Sequence, residues 1–530
     1  MDRAGLTLAR RAFADARIRT AAFAYLFAIY AYIQPVGFRT AYPTPAARLG
    51  FAVSFAGNDA IRIFYGYPYD AATVAGYCAW RVGGTLAIAA AVLGVLAAVR
   101  ALRAEEEAGR LELVLAGPVA RRTALGAALA AIAGGLLIVW AAEALGSLAG
   151  GLGLGGSAYL ALATSTVAAA FAGIGALAAQ LAPTRRGALQ LGIGAAAAAL
   201  LVRAVADTAA GAAWMRWLTP LGWAEEMRPF TGARPLALLA PAALTALTLG
   251  AALAIAARRD IGTGILPTRE RARPRLRLLG SPAAQALRLE LGSLTAWTAG
   301  VALFAVVLGV VASSISAAGI SNAVRKEVAR LGSGAITSPT GYLAFVFIFF
   351  IVTISLFAGT QIAAARQEEA GEQLETLLAL PVGRRRWLGG RLALAAGAAA
   401  LLAAVAGFAA WAGASAAGVQ ISLAHGLEAG ANCLPSTLMF LGIGALAYAV
   451  VPRASAAVVY GLVTVTFLWY LVGALLAAPH WLVELTPFAH IGFVPSESFR
   501  TGAALVMVSI GVICAACGLA LFRTRDLTPA

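Results

Sequence analysis

The sequence predicts an all-α polytopic membrane protein whose roughly twelve transmembrane helices form two parallel six-helix repeats. Three observations lead to this fold class. The chain has 530 residues, of which 61% are hydrophobic and only 12% charged, whereas soluble domains carry about 25% charged residues. Apolar runs of about 20 residues, long enough to cross a bilayer core, recur along the whole chain. A polar segment that joins two such runs occurs twice.

The first half of the chain contains six predicted spans. An arginine-rich amphipathic stretch, residues 5–19, comes before them and is predicted to be a separate helix that lies on the cytoplasmic face of the membrane. The spans are predicted at residues 20–36, 81–102, 123–148, 157–182, 187–207 and 235–257. The polar and aromatic residues 37–80 are predicted to form an external loop at the membrane interface.

The second half repeats this order after a basic, proline-containing linker. A second amphipathic segment is predicted at 282–294, followed by spans at 296–318, 342–365, 387–416, 433–451, 454–477 and 501–522. We therefore predict a first six-span repeat over residues 1–257, a cytoplasmic linker over 258–281 and a second repeat over 282–530. Leu218-Thr219-Pro220 recurs as Leu485-Thr486-Pro487, and Arg259-Asp260 recurs as Arg525-Asp526, which supports duplication.

The segment that occurs twice lies between the second and third spans of each half. Pro118 aligns with Pro381 at an offset of 263 residues, with one residue inserted near Gly371 in the second copy. At that offset Leu111, Glu112, Leu115 and Arg121 meet Leu374, Glu375, Leu378 and Arg384. Leucines three and four residues apart predict a short amphipathic helix, and the carboxylates at its start suit the helix dipole. A solvated loop would also explain the polar residues, but repetition in the same register favours a docking surface.

The distribution of arginine between the two sides of the membrane predicts the orientation of the spans. An even number of spans places both ends of the sequence on one side, and six spans per half give the halves the same orientation. The arginines of the N-terminal segment, of both copies of the repeated motif and of the linker fall on that side, as do Arg185-Arg186, Arg523 and Arg525. That side is therefore predicted to be cytoplasmic. We interpret the net charge of +16 as loop charge facing the cytoplasm and anionic lipid rather than nucleic acid.

No pattern of catalytic or metal-binding residues is visible. Cys514 and Cys517 have redox-motif spacing but lie inside the last apolar run, where they are expected to act as small apolar residues. The three histidines form no H-E-x-x-H or related signature. A phosphate-binding loop needs a lysine after glycine, and the single lysine, Lys326, follows Arg325. We therefore expect this chain to be no enzyme, and to carry no metal and no cofactor.

The repeated motif resembles the cytoplasmic coupling helix of ABC-2-type exporter permeases, and two fused six-span units resemble the polyketide-antibiotic exporter permeases of high-GC bacteria. The resemblance covers the full chain. It implies that an ATPase subunit contacts Glu106, Glu107, Gly109, Glu112, Pro118 and Arg121, together with Glu368, Glu369, Gly371, Glu375, Pro381 and Arg384. The stripe leucines Leu111, Leu115, Leu374 and Leu378 would supply the buried part of that contact. Arg110 and Gly117 differ from Gln373 and Leu380, so the two docking sites need not be equivalent.

The resemblance also implies the partners and the activity. Two docking motifs imply two copies of a separate ABC ATPase, which would carry ATP and Mg²⁺. The substrates would be hydrophobic or amphipathic compounds, such as antibiotics, drugs or lipids, moved out of the cytoplasm or inner leaflet of a bacterial cytoplasmic membrane. An ion-coupled secondary transporter is the alternative, and Glu143 in the third span is its best candidate carboxylate. A membrane-embedded enzyme is a third class, for which no constellation is visible.

Overall fold

The computed structural model describes residues 3–53, 59–209, 211–266, 280–314, 338–475, 481 and 484–527. Lys326 and linker residues 267–279 lie outside these ranges. Within them, 12 helices are long and apolar enough to cross a membrane. The predicted fold class, an all-α polytopic membrane protein, is confirmed.

The contacts divide the chain into two compact units, Met1–Ala272 (unit 1) and Arg273–Ala530 (unit 2). Spans 1 to 6 of unit 1 are Arg3–Ala41, Val74–Glu107, Arg121–Ala149, Leu154–Leu181, Arg185–Thr208 and Pro235–Ala256. Spans 7 to 12 of unit 2 are Pro282–Val311, Pro339–Ala370, Arg384–Ala416, Leu423–Val450, Pro452–Tyr470 and Thr501–Phe522. Each predicted span corresponds to one of these helices.

The amphipathic segments before spans 1 and 7 are not separate helices, which corrects the prediction. Span 1 is one continuous helix of 39 residues that contains Pro35, and span 7 is one continuous helix of 30 residues. At 1.5 Å per residue, 39 residues reach about 58 Å, roughly twice the thickness of a bilayer core. Because no Gly or Pro interrupts residues 5–19 after Gly5, the polar stretch simply continues the helix.

Short polar side chains define where several spans begin. The hydroxyl oxygens of Thr73 and Thr184 accept hydrogen bonds from backbone N–H groups three residues later, at the starts of spans 2 and 5. Ser281 and Ser338 do the same before spans 7 and 8, where a proline occupies the first helical position. These residues satisfy N–H groups that have no partner within the helix.

The two units pack their own spans in the same pairwise order. In unit 1, span 1 packs on span 3, and span 4 packs on both span 2 and span 6; in unit 2, span 7 packs on span 9, and span 10 packs on both span 8 and span 12. Small residues allow these close approaches. A Cβ added to Gly94 of span 2 would clash with the carbonyl oxygen of Ala168 in span 4. Glycine and alanine at helix crossings are typical of membrane helix packing.

Candidate functional site: two connecting helices and their ion pairs

A short helix connects the second and third spans of each unit. Connecting helix 1 is Arg110–Leu115 and connecting helix 2 is Gln373–Leu378, each of six residues. The residue before each helix is left-handed: Gly109 has a φ of 70° and Glu372 a φ of 60°. These two residues are 263 positions apart, so the backbone needs no insertion, and the predicted insertion near Gly371 is wrong. Gly371 has a φ of −91°, so it does not adopt the left-handed conformation of Gly109.

A buried ion pair lies beside connecting helix 1, and we call it clasp 1. The Glu106 carboxylate, at the end of span 2, accepts hydrogen bonds from Arg259 Nη2 at 2.5 Å and Nη1 at 2.8 Å. It also accepts from the Gly262 N–H at 2.7 Å and lies 3.1 Å from Arg103 Nη1. Arg259 Nε donates to the Gln180 side chain at 2.8 Å. Span 2 has a π-helical turn over Arg100–Ala104, a feature that often occurs at functional sites.

Unit 2 has the corresponding ion pair, clasp 2. The Arg525 guanidinium donates to the Glu369 carboxylate at the end of span 8. Arg366, one turn earlier in span 8, lies 3.4 Å from the same carboxylate. Arg525 Nη1 also donates to the carbonyl oxygen of Tyr448 in span 10 at 3.0 Å. Glu369 and Arg366 are each 263 positions after their unit 1 counterparts, Glu106 and Arg103.

The first residue of the third span in each unit also belongs to this arrangement. Arg121 Nη1 donates to the carbonyl oxygen of Arg259 at 2.6 Å, and Arg384 donates to the carbonyl oxygen of Arg525. The arginines that the resemblance assigns to ATPase contact are therefore bonded within the chain. The same contact between the third span and the residue after the last span therefore occurs in both units.

Most of the predicted docking carboxylates near the ends of spans 2 and 8 also have partners within the chain. Glu106, Glu368 and Glu369 are buried, and Glu368 lies 2.9 Å from Arg391. Glu107 is exposed, and its carboxylate accepts a hydrogen bond from the backbone N–H of Arg185 at 3.1 Å. Acidic residues at this boundary therefore hold the ends of the spans together.

The apolar stripe of each connecting helix faces its own unit. Leu374 is fully buried in the core of unit 2, with Leu377 and Leu378 packed against that core. The stripe residues Leu111, Val114 and Leu115 of connecting helix 1 are half-buried. The stripe that sequence analysis assigned to a partner thus anchors the helix to the protein, most completely in unit 2.

The opposite face of each connecting helix is exposed, as is the turn that follows the helix. Glu112 and Glu375, at equivalent positions, are both exposed, as are Pro118 and Pro381. Each copy also exposes one large apolar side chain. These side chains are Leu113, 78% exposed, in copy 1 and Leu380, 57% exposed, in copy 2. We call these six residues the exposed face of the connecting helices.

The sequence analysis missed the roles of the clasp arginines. It used the recurrence of Arg259-Asp260 as Arg525-Asp526 only as a sign of duplication. The signal for a structural role was present, because an arginine recurs at the end of the last span of each half and an acid recurs at the end of the second. Nothing in the sequence shows that residues 153 positions apart meet.

Glu143, the carboxylate singled out for ion coupling, is completely buried in span 3. Its Oε2 atom accepts a hydrogen bond from the Thr164 hydroxyl of span 4 at 2.5 Å. Its equivalent in the second half at an offset of 263 is Ala406. Unit 2 therefore has no carboxylate at this position, and in unit 1 the Glu143 carboxylate is hydrogen-bonded to the neighbouring span.

A second charged cluster lies in unit 1, where span 5 ends. The Asp207 carboxylate, predicted to pair with Arg203, lies 3.9 Å from Arg203 Nε, and it accepts a hydrogen bond from Arg216 Nε at 2.6 Å. Glu225 lies 3.4 Å from Arg203 and 3.8 Å from Arg216. Burial, together with the neighbouring Asp207 carboxylate, raises the pKa of Glu225 well above its usual range.

Comparison with known proteins identifies the family. A family described as "Multidrug efflux system permease Rv1217c, C-terminal domain" matches residues 50–257 and 279–523. The chain belongs to this family. It is 32% identical over 333 residues to the multidrug efflux system permease protein Rv1217c of Mycobacterium tuberculosis. The match covers 60% of this chain and 58% of the length of that relative.

Proposed function

We propose that the chain is the transmembrane permease subunit of an ATP-driven efflux system, an ABC-2-type exporter with two fused six-span units. The observation that carries the proposal is the repeated connecting helix. Both copies have the same backbone conformation and an apolar stripe that is less exposed than the opposite face, and both present an exposed acid and proline. Membership of the multidrug efflux permease family supports the export role.

The partners in this proposal are two copies of a separate ABC ATPase, which carry ATP and Mg²⁺. Each ATPase would bind one exposed face, made of Glu112, Leu113 and Pro118 in unit 1 and of Glu375, Leu380 and Pro381 in unit 2. An exposed leucine supplies a side chain that can be buried in a groove, and the acid beside it favours a basic rim on the partner. The faces share the acid and the proline but place the leucine differently, so the two sites are expected to differ in affinity.

The arginines near the connecting helices also indicate which end of the spans faces the cytoplasm. Within each unit the connecting helix and the arginine after the last span lie at one end of the spans, joined through a clasp. Arg185, Arg186 and Arg258 lie at that end in unit 1, and Arg385, Arg386 and Arg523 lie there in unit 2. Because cytoplasmic loops carry an excess of arginine, this end faces the cytoplasm of a bacterial inner membrane, with both termini of the sequence on that side.

The substrates are hydrophobic or amphipathic compounds, including drugs, antibiotics or lipids. The relative is named a multidrug efflux permease, and the spans of this chain are lined mainly by alanine, glycine, leucine and valine. Such surfaces attract molecules through apolar contact rather than through a specific set of hydrogen bonds.

The proposal is tested by reconstitution. The chain and a candidate partner ABC ATPase are co-expressed, purified and placed in liposomes, and movement of ethidium is followed by fluorescence. We expect movement only with ATP and the ATPase, and no ATP hydrolysis by the chain alone. Ethidium movement driven by a proton gradient without ATPase, and lost in Glu143→Gln, would instead establish the ion-coupled alternative.

A further inference from the structure

Each clasp joins the connecting helix region to the end of the last span, two elements that are far apart along the backbone. Each connecting helix is attached by the backbone to two spans, spans 2 and 3 in unit 1 and spans 8 and 9 in unit 2. Each clasp adds a third element, the residue that follows the last span of the unit. Arg259 comes three residues after span 6, and Arg525 three residues after span 12.

Each clasp arginine binds the same two neighbours in its unit. One is the acid at the end of the second span, Glu106 or Glu369. The other is the end of the fourth span, through the Gln180 side chain in unit 1 and the Tyr448 carbonyl in unit 2. The carbonyl of the arginine itself then accepts from the first residue of the third span. One residue therefore links the ends of the second, third, fourth and last spans.

The segment after span 6 is also held in place by its backbone. Arg103 donates to the carbonyl oxygens of Thr263 at 3.0 Å and of Gly262 at 3.1 Å. The Leu266 N–H donates to the carbonyl of Leu181, at the end of span 4, at 2.9 Å. A Cβ added to Gly264 would lie 2.5 Å from the backbone nitrogen of Pro183. The chain leaving span 6 thus lies against the connection between spans 4 and 5 without room for a larger residue.

The buried contacts of clasp 1 are better suited to holding elements of this chain together than to binding a partner. Both arginines of clasp 1 and the Glu106 carboxylate are withdrawn from solvent, with side chains at most 7% exposed. A buried charge is strongly disfavoured unless it stays paired, so separating the two partners costs free energy. The pair therefore resists relative displacement of the elements that carry it.

We propose that the two clasps transmit the movement of each connecting helix directly to the last span of its unit, spans 6 and 12. This rests on the proposed function, because the movement originates in an ATPase bound to the exposed face. Glu106, Arg259, Arg121 and their counterparts Glu369, Arg525 and Arg384 are positioning residues: they contact neither substrate nor nucleotide. Their task is to carry a displacement from the docked ATPase into the last span, to which the backbone does not directly join the connecting helix.

The test separates binding from coupling. Arg259→Gln and Arg525→Gln are combined in one chain, which is reconstituted with the ATPase and assayed for ethidium export and ATP hydrolysis. Because the exposed face is unchanged, we expect the ATPase to bind as it does to the parent. We expect export per ATP hydrolysed to fall by about tenfold or more, which is a typical size for an allosteric coupling. Lysine at both positions keeps the charge and should restore part of the loss.

Matched controls lie next to each clasp. Arg258 and Arg523 are exposed arginines in the same segments, and their change to glutamine should leave export per ATP at the parental level. Export per ATP that is unchanged in the combined Arg259→Gln and Arg525→Gln variant would overturn the inference. An ATPase that fails to bind the parent chain would instead overturn the proposed function.

A second measurement needs no substitution in this chain. Hydrogen exchange is followed in the parental complex with a hydrolysis-deficient ATPase, with and without ATP. If the clasp transmits movement, exchange at residues 110–118 and at 256–263 should change together, as should exchange at 373–381 and at 521–527. A change confined to the connecting helices would contradict the inference even where the glutamine variants do not fold.

Discussion

The difference between Leu374 and Leu111 gives a sharp test of how the connecting helices are anchored. The two leucines occupy equivalent positions, 263 residues apart, but Leu374 is fully buried while Leu111 is half-buried. Truncation of a buried leucine to alanine typically costs about 2 to 5 kcal/mol, because a cavity adds to the lost burial. Half of the burial energy of one leucine, without a cavity, is about 1 kcal/mol. We therefore expect Leu374→Ala to destabilise the protein by at least about 1 kcal/mol more than Leu111→Ala.

The assay is unfolding in mixed micelles at rising SDS content, followed by tryptophan fluorescence. Trp387 lies buried in the same core as Leu374 and reports on its loss. Leu113→Ala is the control, since Leu113 is 78% exposed and surface truncations usually change stability by less than about 0.5 kcal/mol. Equal unfolding midpoints for Leu374→Ala and Leu113→Ala would refute the inward anchoring of connecting helix 2.

The remaining predictions concern a turn, a clasp and a buried acid. Gly109→Ala should destabilise by about 1 kcal/mol in the same SDS titration, because a left-handed φ crowds a Cβ; no loss would contradict the assigned turn. Glu369→Ala should cost about 3 to 5 kcal/mol, since it leaves the arginines of clasp 2 without their carboxylate, whereas exposed Glu375→Ala should cost less than about 0.5 kcal/mol; similar costs would contradict the buried pair. The raised pKa of Glu225 means that the folded protein holds this proton more tightly than the unfolded chain, so this contribution to stability is lost as pH rises above the ordinary value of 4.5. Glu225→Gln should therefore gain stability relative to the parent as the pH rises above about 5, measured by SDS unfolding at each pH. A difference in stability that does not change with pH would refute this prediction.

The spans could be predicted from sequence because the bilayer imposes a length and a composition on each of them. Span 12 was predicted at 501–522 and is Thr501–Phe522. Hydropathy could not predict that span 1 extends to Arg3. A polar stretch beyond the membrane ends the apolar run but does not end the helix. The division of the chain into two repeats and a linker, at residues 257 and 281, stays a prediction.

The candidate site was predicted only in part, for a physical reason. The 3.6-residue period indicates that Leu374 and Leu378 share a face, but not whether that face meets the protein or a partner. In the structure it meets the protein, which leaves Glu375 on the other side for contact. The apparent insertion arose from alignment of Gly109 with Gly371, whereas the backbone aligns Gly109 with the left-handed Glu372.

The clasps could not be predicted because they depend on long-range packing. A carboxylate next to arginines in sequence is typical of a polar loop, and the partner of Glu106 lies 153 residues away. The resemblance implies that Glu369 contacts an ATPase, whereas the structure buries this residue within its own unit. Its side chain is 1% exposed and is bound to Arg525.

The central claim, that each connecting helix is an ATPase docking site, is tested most directly by native mass spectrometry of the co-expressed complex. The parent chain should carry two ATPase subunits, and a chain with Glu112→Arg and Glu375→Arg should carry none, because both exposed faces then present the wrong charge to a basic rim. Gln373→Arg is the matched control, since the equivalent position in copy 1 is already Arg110, and it should still bind both subunits. Two ATPase subunits on the doubly reversed chain would contradict the account.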